Sequence, residues 1–574
     1  MNTPIKQLLK GAEYMKDKLC VGSESYEEII HQNGYFVDKT ELMYELAAET
    51  SNKVTLFTRP RRFGKTLMMS MMESFFDIRR DSRKVFDGKN VMNHPEFCSE
   101  YMNQFPVIFI TFKDVDGKNF NEAYDMIVAL ISSLFKKHTY LLNENNALKV
   151  DADDIVIFQK IKAQDEKLKV SEIKNAIDTL MRMMYAVYQK PVILLIDEYD
   201  VPLAKAHTKG YYHDMLDLIR GIMSTSLKTN DYLKFAVVTG CLRIPKESIF
   251  TGVNNFASYS VLEERFAQYF GFTTSEVNEL LENFGLMDKA PVIKAWYDGY
   301  LFGSTEVYCP WDVISYVSDL LFKRDMEPDV YWENTGSSDA ISAFFELENV
   351  DISDSFETLL NGGTITETVS TSLTYDTAYT NVSNLWSVLL MTGYVTPVSQ
   401  SRGLDAKNRR TVELRIPNTE VAHIFQGVVD EHFNQTVDRS QVTALLNALW
   451  KGEVEEAQKI LSDLLWLTIS YMDYHENFYH AFLAGIFVGG GYKPKSNKER
   501  GLGRPDIDLR DKRKRSALII ETKRSETEEQ MEYWCDEALR QIKNHEYDLH
   551  LDEYKHILRY GIAFYKKKAM IKKM

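Results

Sequence analysis

Gly64, Lys65 and Thr66 stand in the order that a phosphate-binding loop requires, at the start of a segment with helical periodicity. A lysine ammonium can pair with the outer phosphates of a nucleotide, and a threonine hydroxyl can hold Mg²⁺. The short apolar run Val54–Phe57 precedes them, so the local order is strand, loop and helix. Backbone N–H groups of such a loop point towards a bound anion. These residues predict an ATP or GTP site with Mg²⁺, against the alternative of a chance helix cap.

The loop in front of Gly64 is unusual for this chemistry. Where such loops commonly open with glycine, this sequence has Arg59. The residues 60–63 are bulky and basic rather than small, although Pro60 is harmless because its position need not donate an N–H. The residues expected to line the cofactor site are Arg61, Arg62, Phe63, Gly64, Lys65 and Thr66.

A second buried-strand candidate ends in carboxylates. The run Pro191–Asp200, PVILLIDEYD, is continuously apolar before its acids, as a strand buried on both faces would be. Ligands of open α/β sheets lie at the carboxyl ends of strands, so these acids and Lys65 should converge. We expect Asp197 to hold Mg²⁺ through water, and Glu198 to be the catalytic base that orients an attacking water.

The apolar run Leu233–Cys241 predicts a further strand, with Thr239 at its polar end. In P-loop ATPases with an extra strand between the phosphate loop and the acidic strand, such a polar tip senses the γ-phosphate. The alternative is a hydroxyl that caps its own turn, and the sequence does not choose between the two. Thr239 is therefore a candidate for the nucleotide site.

The C-terminal part of the chain contains a second group of residues that could do chemistry. Alternate residues of a strand share a face, so Glu521 and Lys523 should emerge together from the strand candidate Ser516–Arg524. Asp506 would come from the neighbouring strand of the same hairpin. Two carboxylates can hold Mg²⁺, which lowers the pKa of its bound water, while a lysine positions that water and steadies the charge of a phosphate. This set is a minimal site for phosphodiester cleavage.

The length, composition and charge of the chain limit the kinds of protein that could carry these residues. With 574 residues, 44% of them hydrophobic, the chain can bury the cores of several domains. Five cysteines without paired spacing indicate the reduced thiols of a cytoplasmic protein. No apolar stretch is long enough to span a bilayer, and the first residues lack the core of a signal peptide. The net charge of -15 argues against nucleic-acid binding over the whole surface, but not against a local basic groove. The most basic stretch, Lys493–Arg515, could line such a groove or be a solvated hairpin tip, and the tip is favoured for Lys512–Arg515.

The first half of the chain resembles the bacterial AAA-ATPase-like family. The resemblance rests on Tyr35–Thr40 (YFVDKT), Arg59–Thr66 (RPRRFGKT) and Ile196–Asp200 (IDEYD). Further matches are Ser248–Asn255 (SIFTGVNN), Phe270–Thr273 (FGFT), Trp296–Tyr300 (WYDGY) and Tyr308–Trp311 (YCPW). Members of that family also have arginine in place of the first glycine of the loop. The resemblance implies an ATPase and, commonly, a second domain of the PD-(D/E)XK nuclease type.

The C-terminal residues agree with that second implication. Pro505-Asp506, followed by Glu521-Thr522-Lys523, resembles the PD-(D/E)XK pattern. The resemblance further implies catalytic roles for Glu476, the acid that such nucleases place on their first helix, and for Gln541 on a later helix. A Glu-x-Lys sequence alone is a weak signal, because charged residues flank strands in many proteins. The order of all these parts is more specific.

We therefore expect an α/β fold with three parts. These are a P-loop NTPase domain with a parallel sheet (1–270), a mainly helical lid and connecting region with a winged-helix-like unit (271–465), and an α/β PD-(D/E)XK nuclease-like domain (466–574). The expected function is ATP binding and hydrolysis coupled to Mg²⁺-dependent cleavage of nucleic acid, DNA ahead of RNA. The family resemblance implies a role in defence or in the handling of mobile DNA. A homo-oligomer is compatible with the sequence, and we expect no membrane contact.

The alternative is a nucleotide-switched scaffold that binds nucleic acid without cutting it. The intact set of Asp506, Glu521 and Lys523 favours cleavage, since a binding module has no use for metal-ligating acids. A helicase-like motor is a third reading, but the sequence has no recognisable strand-tracking motif.

Overall fold

The computed structural model divides into two compact units, and each is described by itself. The first unit comprises residues 1–340 and 366–422, and the second comprises residues 341–365 and 423–574. The structure describes residues 18–48, 52–244, 249–250, 255–332, 339–345, 353–360, 362–405, 409–436, 439–468, 479, 482–483, 486–487, 506–511, 515–545, 551, 554–565 and 568–574.

The described residues form both helices and strands in each unit. The strands are β1 Val54–Thr58, β2 Val107–Thr111, β3 Val192–Asp197, β4 Leu233–Gly240, β5 Phe256–Tyr259, β6 Tyr300–Phe302, β7 Thr305–Val307, β8 Ile365–Thr368, β9 Thr396–Leu404, β10 Arg410–Arg415, β11 Ile507–Asp511, β12 Ser516–Arg524, β13 His556–Tyr565 and β14 Lys568–Lys573. The helices are α1 Tyr26–His31, α2 Glu41–Ala48, α3 Lys65–Phe76, α4 Arg83–Phe86, α5 Pro95–Tyr101, α6 Phe120–Lys137, α7 Glu144–Ala147, α8 Ala152–Ala163, α9 Val170–Lys174, α10 Ala176–Tyr188, α11 Val201–Thr208, α12 Tyr212–Leu227, α13 Thr274–Asn283, α14 Ala290–Tyr297, α15 Pro310–Phe322, α16 Asp339–Phe345, α17 Ser353–Leu360, α18 Tyr375–Ala378, α19 Val382–Thr392, α20 Thr419–Thr436, α21 Arg439–Lys451, α22 Val454–Thr468 and α23 Met531–Asn544.

The centre of the first unit is a five-stranded sheet with the strand order β2-β3-β4-β1-β5. Each neighbouring pair of strands is parallel. All five residues of β1 and all six of β3 are buried, as expected of central strands that are covered on both faces. The continuous apolar runs of the sequence are therefore the central strands, and the predicted parallel α/β fold is confirmed.

The parallel arrangement brings the carboxyl ends of β1, β3 and β4 to one edge of the sheet. The register pairs Phe57 of β1 with Thr239 of β4, and Ile196 of β3 with Val238 of β4. The loop after β1 therefore starts beside the polar end of β4, and the acids that follow Ile196 start beside the same residues. This edge is where the predicted nucleotide residues meet.

Residues 366–422 belong to the first unit and carry a small sheet of their own. Its strand order is β8-β10-β9, and β9 and β10 form an antiparallel pair that follows α19. The N–H of Leu301 on β6 donates to Thr396 Oγ1 at the start of β9, at 2.8 Å. Gly299 lies so close to this segment that a Cβ there would be 2.0 Å from the carbonyl oxygen of Pro417. The winged-helix-like character of this helix and hairpin stays a prediction.

The sheet of the second unit has the order β11-β12-β13-β14, with β12 and β13 parallel and the outer pairs antiparallel. Leu518 and Ile520 belong to a core cluster with residues of α21 and α22. Ala517 and Ile519 pack on the other face, against Ile542 of α23. Strand alternation therefore sends Glu521 and Lys523 to the face that α23 covers. The predicted α/β fold of the C-terminal part is confirmed.

The domain boundaries at 270 and 465 stay a prediction. The two compact units share the connecting region between them, since residues 366–422 lie in the first unit and 423–465 in the second. All five cysteines are free thiols. Across the part of the chain that the structure describes, no helix combines the length and the apolar character needed to cross a membrane.

Candidate functional site

The candidate phosphate loop joins β1 to α3. It runs from Arg59 to Gly64, and α3 begins at Lys65. Gly64 is the N-cap of α3 and has a φ of 82°, in the left-handed region that glycine adopts without strain. A Cβ there would meet nothing within 4 Å, so the backbone conformation and not the space requires glycine. Glycine brings no capping side chain, and the N–H groups of the first turn of α3 therefore suit an anion.

Lys65 is the buried cation of this site, with 4% of its surface exposed. Its Nζ lies 3.1 Å and 3.0 Å from the carbonyl oxygens of Arg59 and Pro60, and 3.2 Å from Glu198 Oε1. Burial opposes the charge, but the surrounding groups outweigh burial and raise the pKa of Lys65 above its ordinary value. Those groups are Cys241, Glu198, Asp197 and Asp200.

Asp197, at the end of β3, is fully buried and accepts hydrogen bonds from three hydroxyl groups. Thr66 Oγ1 donates to its Oδ2 at 2.8 Å, Thr111 Oγ1 donates to the same oxygen at 3.2 Å, and Thr239 Oγ1 donates to Oδ1 at 2.5 Å. Burial, and then the charge of Glu198, raises the pKa of Asp197. A carboxylate and a threonine hydroxyl this close are hard oxygen donors of the kind that Mg²⁺ takes, usually with several waters. The residues present therefore fit Mg²⁺.

Thr239 lies beside the predicted magnesium ligand Asp197, and its role at the nucleotide stays a prediction. Its hydroxyl holds Asp197, and it also accepts the N–H of Glu198 at 3.4 Å. Thr111 is a residue that the sequence analysis missed. It ends the buried strand next to the acidic strand, and a hydroxyl at that place in the apolar run 105–113 was the available signal.

Glu198 combines an unusual backbone with an unsatisfied oxygen. Its φ is 53°, a left-handed value that is uncommon for residues other than glycine. Oε1 pairs with Lys65, while Oε2 is buried and has no hydrogen-bond partner among the described residues. Buried carboxylate oxygens are normally paired, so this one suits a water that arrives with a ligand.

Arg59, which replaces the usual glycine, enters the core instead of the site. It is fully buried, and its guanidinium carbon lies 5.0 Å from the ring centre of Phe270 and 5.3 Å from that of Phe302. Its Nη1 donates to the carbonyl of Tyr259 at 2.8 Å. Burial lowers its pKa to about 9. The rings of Phe270 and Phe302 and the Tyr259 carbonyl thus accommodate the Arg59 side chain, which would otherwise occupy the space inside the loop.

The three bulky residues before Gly64 differ in their surroundings. Arg61 is half-buried and within electrostatic reach of Glu198. The guanidinium carbon of Arg62 lies 3.9 Å from the ring centre of Trp311. Phe63 is 1% exposed, so only its backbone could contact an anion. Their binding roles stay predictions.

The C-terminal candidate site lies at the end of β12. Continuing the register of β11 and β12 places Asp506 opposite Glu521, and the Asp506 N–H donates to Glu521 Oε2 at 3.4 Å. Lys523 Nζ lies 3.5 Å from Glu521 Oε1. The structure thus brings these three residues together. Burial, and then the Asp506 carboxylate, raises the pKa of Glu521 to about 8, so Glu521 holds a proton at neutral pH until a cation displaces it.

Thr522 holds Asp506 in place, a role that the sequence analysis did not assign. Its N–H donates to Asp506 Oδ2 at 2.8 Å, and its hydroxyl donates to the same oxygen at 2.6 Å. Among the described residues no cluster of three or more potential metal-binding side chains occurs. The pair of Asp506 and Glu521 nevertheless fits Mg²⁺, which keeps several waters and needs few protein carboxylates.

Glu476 and Gln541 are the two remaining residues predicted for the C-terminal site. Glu476 lies outside the described residues. Gln541 is a half-buried residue of α23, and its carbonyl accepts a hydrogen bond from His545 Nδ1 at 3.1 Å. The catalytic roles of Glu476 and Gln541 stay predictions.

Two stretches of the chain match known protein families. Residues 20–250 match the AAA-ATPase-like family, described as "Predicted AAA-ATPase". Residues 474–574 match the PD-(D/E)XK nuclease superfamily. The predicted resemblance to the AAA-ATPase-like family, with a C-terminal domain of the PD-(D/E)XK nuclease superfamily, is confirmed. The chain is also 27% identical over 327 residues to a protein of Azotobacter chroococcum mcd 1 described as "Uncharacterized protein in vnfD 5'region". That alignment covers 56% of this chain and 55% of the relative, so the chain spans about half the length of the relative it matches.

Lys65→Ala should abolish nucleotide binding, because it removes the cation that the loop carbonyls hold among the acids. It should also lower the melting temperature, since breaking a buried ion pair costs about 3–5 kcal/mol. Titration with a fluorescent ATP analogue measures the first effect. Lys39→Ala is the matched control: Lys39 is a buried lysine 2.6 Å from Glu276 Oε1, and the folded variant should keep its nucleotide affinity. Wild-type nucleotide affinity in Lys65→Ala would show that Lys65 does not contribute to nucleotide binding.

Thr522→Val keeps the shape of the side chain and the N–H but loses the hydroxyl that holds Asp506. Loss of such a support should weaken Mn²⁺ binding by about 10- to 100-fold, as measured by calorimetry. Ser525→Ala is the control, because the Ser525 hydroxyl lies near the same strand end but donates to the carbonyl of Thr527. Equal metal affinity in the two variants would show that the Thr522 hydroxyl does not position Asp506.

Proposed function

We propose that this chain binds and hydrolyses ATP at the sheet edge around Lys65 and cleaves nucleic acid at the end of β12. The observation that carries the first half is the convergence of Lys65, Thr66, Asp197 and Glu198, with Lys65 Nζ 3.2 Å from Glu198 and Thr66 Oγ1 2.8 Å from Asp197. The convergence of Asp506, Glu521 and Lys523 supports the second half. The family matches support both.

At the nucleotide site, the chain's own groups divide the work. Lys65 exchanges its loop carbonyls and Glu198 for the outer phosphates. Glu198, released from that pair, orients the attacking water and accepts its proton. Thr66 and Asp197 would hold Mg²⁺, which supplies positive charge at the phosphates when bound. Thr111 and Thr239 keep the Asp197 carboxylate oriented through the hydroxyl bonds described above.

At the C-terminal site, Asp506 and Glu521 would hold Mg²⁺, which lowers the pKa of bound water when present. Lys523 is placed to orient that water and to steady the charge that develops on the scissile phosphate. Thr522 keeps Asp506 in the geometry needed for binding the cation. The high pKa of Glu521 means that cation binding releases a proton near neutral pH.

Nucleic acid is the proposed substrate, DNA ahead of RNA, in a cytoplasmic protein of genome defence or mobile-DNA handling. ATP would set the conformation or assembly in which cleavage occurs. These finer statements rest on the resemblance stated for the sequence. The assays below separate DNA from RNA, and cleavage with ATP from cleavage without it.

Glu198→Gln should bind ATP but hydrolyse it about 10²- to 10⁴-fold more slowly, because an amide keeps the shape of the side chain and cannot accept the proton of the water. Glu73→Gln is the control. It removes a glutamate of α3 whose Oε2 lies 3.1 Å from Arg80, outside the Lys65 site. Phosphate release and binding of a fluorescent ATP analogue are measured on the same preparations. ATP hydrolysis at the wild-type rate in Glu198→Gln would show that another group orients the attacking water and accepts its proton.

Asp506→Ala and Glu521→Ala should each abolish cleavage while leaving nucleic-acid binding largely intact, because neither acid attracts a phosphate backbone by itself. Lys523→Ala should lose cleavage and also some affinity, since it removes a cation from the path of the phosphate. Gel-based cleavage and filter binding are measured on the same DNA and RNA substrates, with Mg²⁺ or chelator. Asp536→Ala is the control, because Asp536 pairs with Lys572 at 2.8 Å, and the variant should cleave the substrates at the wild-type rate.

Cleavage by Asp506→Ala at the wild-type rate would contradict the proposed site. A wild-type protein that binds nucleic acid but never cuts it would instead support the nucleotide-switched scaffold.

A further inference from the structure

The nucleotide site includes residues that lie far outside the stretch matching the AAA-ATPase-like family. That match ends at residue 250, whereas residues 366–422 belong to the same compact unit as the phosphate loop. Two residues of this later segment, Tyr375 and Gly393, contact residues of the loop and of the acidic strand end.

The first contact runs through Asp200, the last acid of the IDEYD sequence. Asp200 is 1% exposed, and its carboxylate ties down the turn that follows β4. The N–H of Cys241 donates to its Oδ2 at 3.0 Å, and the N–H of Leu242 donates to the same oxygen at 2.8 Å. Gly240 must be glycine for this approach, because a Cβ there would lie 2.5 Å from Asp200 Oδ1.

Tyr375 completes this set from the other segment. Its hydroxyl donates to Asp200 Oδ2 at 3.2 Å, although 175 positions separate the two residues in the sequence. The Tyr375 ring is 6% exposed and lies in an aromatic cluster with His207 and Tyr212. The hydroxyl and the carboxylate are both buried, so this charge-assisted bond is shielded from water, although 3.2 Å is long for its type.

The turn that Asp200 holds is part of the Lys65 environment. Cys241 Sγ lies 3.9 Å from Lys65 Nζ, and the carbonyl of Gly240 accepts the N–H of Arg59 at 3.1 Å. Movement of this turn would therefore displace both the first residue of the phosphate loop and the surroundings of its lysine. Tyr375, Asp200, the turn and Lys65 form one continuous chain of contacts.

The second contact is made by Gly393, the C-cap of α19. Its φ is 90°, and a Cβ there would lie 3.0 Å from Pro60 Cβ, inside the phosphate loop. Residues 366–422 thus contact the site from two directions, at the loop and at the acidic strand end. A nucleotide that moves the loop must act against both contacts.

We propose that Tyr375 is a positioning residue of the ATP site, acting through Asp200, and that residues 366–422 are a built-in part of the ATPase rather than a separate connecting module. The proposal rests on the ATPase function proposed above. It adds that the catalytic unit of this chain extends beyond the stretch that carries the recognisable motifs.

Tyr375→Phe tests the proposal, because it removes one hydroxyl and keeps the buried ring. ATP hydrolysis should fall about tenfold, the scale of one hydrogen bond to a charged group. The acid limb of its pH profile should move up by about one pH unit, because loss of a donor disfavours the ionised carboxylate. In the wild type that limb is expected near the pKa of Asp200, which burial and then the charge of Glu198 raise to about 6. The titratable and charged groups around Asp200 are Lys65, Arg61, Glu198, Tyr199, Cys241 and Tyr375.

Tyr212→Phe is the matched control. Tyr212 belongs to the same aromatic cluster, but its hydroxyl is not among the described groups that donate to Asp200. Its loss should leave both the rate and the pH profile unchanged. A double-mutant cycle then tests the route: in the Asp200→Asn background, Tyr375→Phe should change the rate by less than about twofold, because residues that act through one another are not additive.

Equal rates and pH profiles for Tyr375→Phe and Tyr212→Phe would overturn the proposal, as would an undiminished effect of Tyr375→Phe in the Asp200→Asn background. Both results would leave the ATPase function standing. A wild-type protein that neither binds nor hydrolyses ATP would overturn the proposed function, and this inference with it.

Discussion

The structure of the first unit depends on one buried cation. Lys65 is almost fully enclosed, and a lone ammonium in such a place would be strongly unfavourable. Loop carbonyls at 3.0–3.1 Å and the Glu198 carboxylate at 3.2 Å compensate it. The acids in turn need the cation, since Asp197 and Asp200 are buried as deeply. Each group favours the charged form of the other, and the parallel sheet is what brings both to the same edge.

The second unit also places two carboxylates close to one lysine, at the end of β12. Its acids meet one lysine, Lys523, whose Nζ lies 3.5 Å from Glu521. Burial, and then the Asp506 carboxylate, raises the pKa of Glu521 to about 8, and Lys523 offsets only part of that rise. Protonation of Glu521 relieves the repulsion between the two carboxylates until a cation is bound. The acids of the first site thus surround a buried lysine, whereas those of the second lie beside a single partly buried lysine.

Local patterns were enough to predict the central strands and the strand ends at which the predicted residues of each site lie together. The apolar run before Asp197, the Gly-Lys-Thr sequence and the alternation around Glu521 each encode their structure within about ten residues. The contact of Tyr375 with Asp200 could not be predicted, because it joins residues 175 positions apart through tertiary packing. The path of Arg59 was equally hidden, since its place in the motif indicated the loop while its side chain lies between Phe270 and Phe302. Thr522 was missed because side-chain alternation places it on the other face from Glu521, and its bond to Asp506 runs sideways along the sheet.

The central claim is that one chain combines an ATP site with a metal-dependent site for cutting nucleic acid. The most direct measurement is cleavage of a panel of DNA and RNA substrates by the full chain, with Mg²⁺ or chelator and with or without ATP. The account predicts cleavage with Mg²⁺ and none with chelator, at a rate that changes when ATP is added. Binding without cleavage under every combination of Mg²⁺ or Mn²⁺ and nucleotide would contradict it.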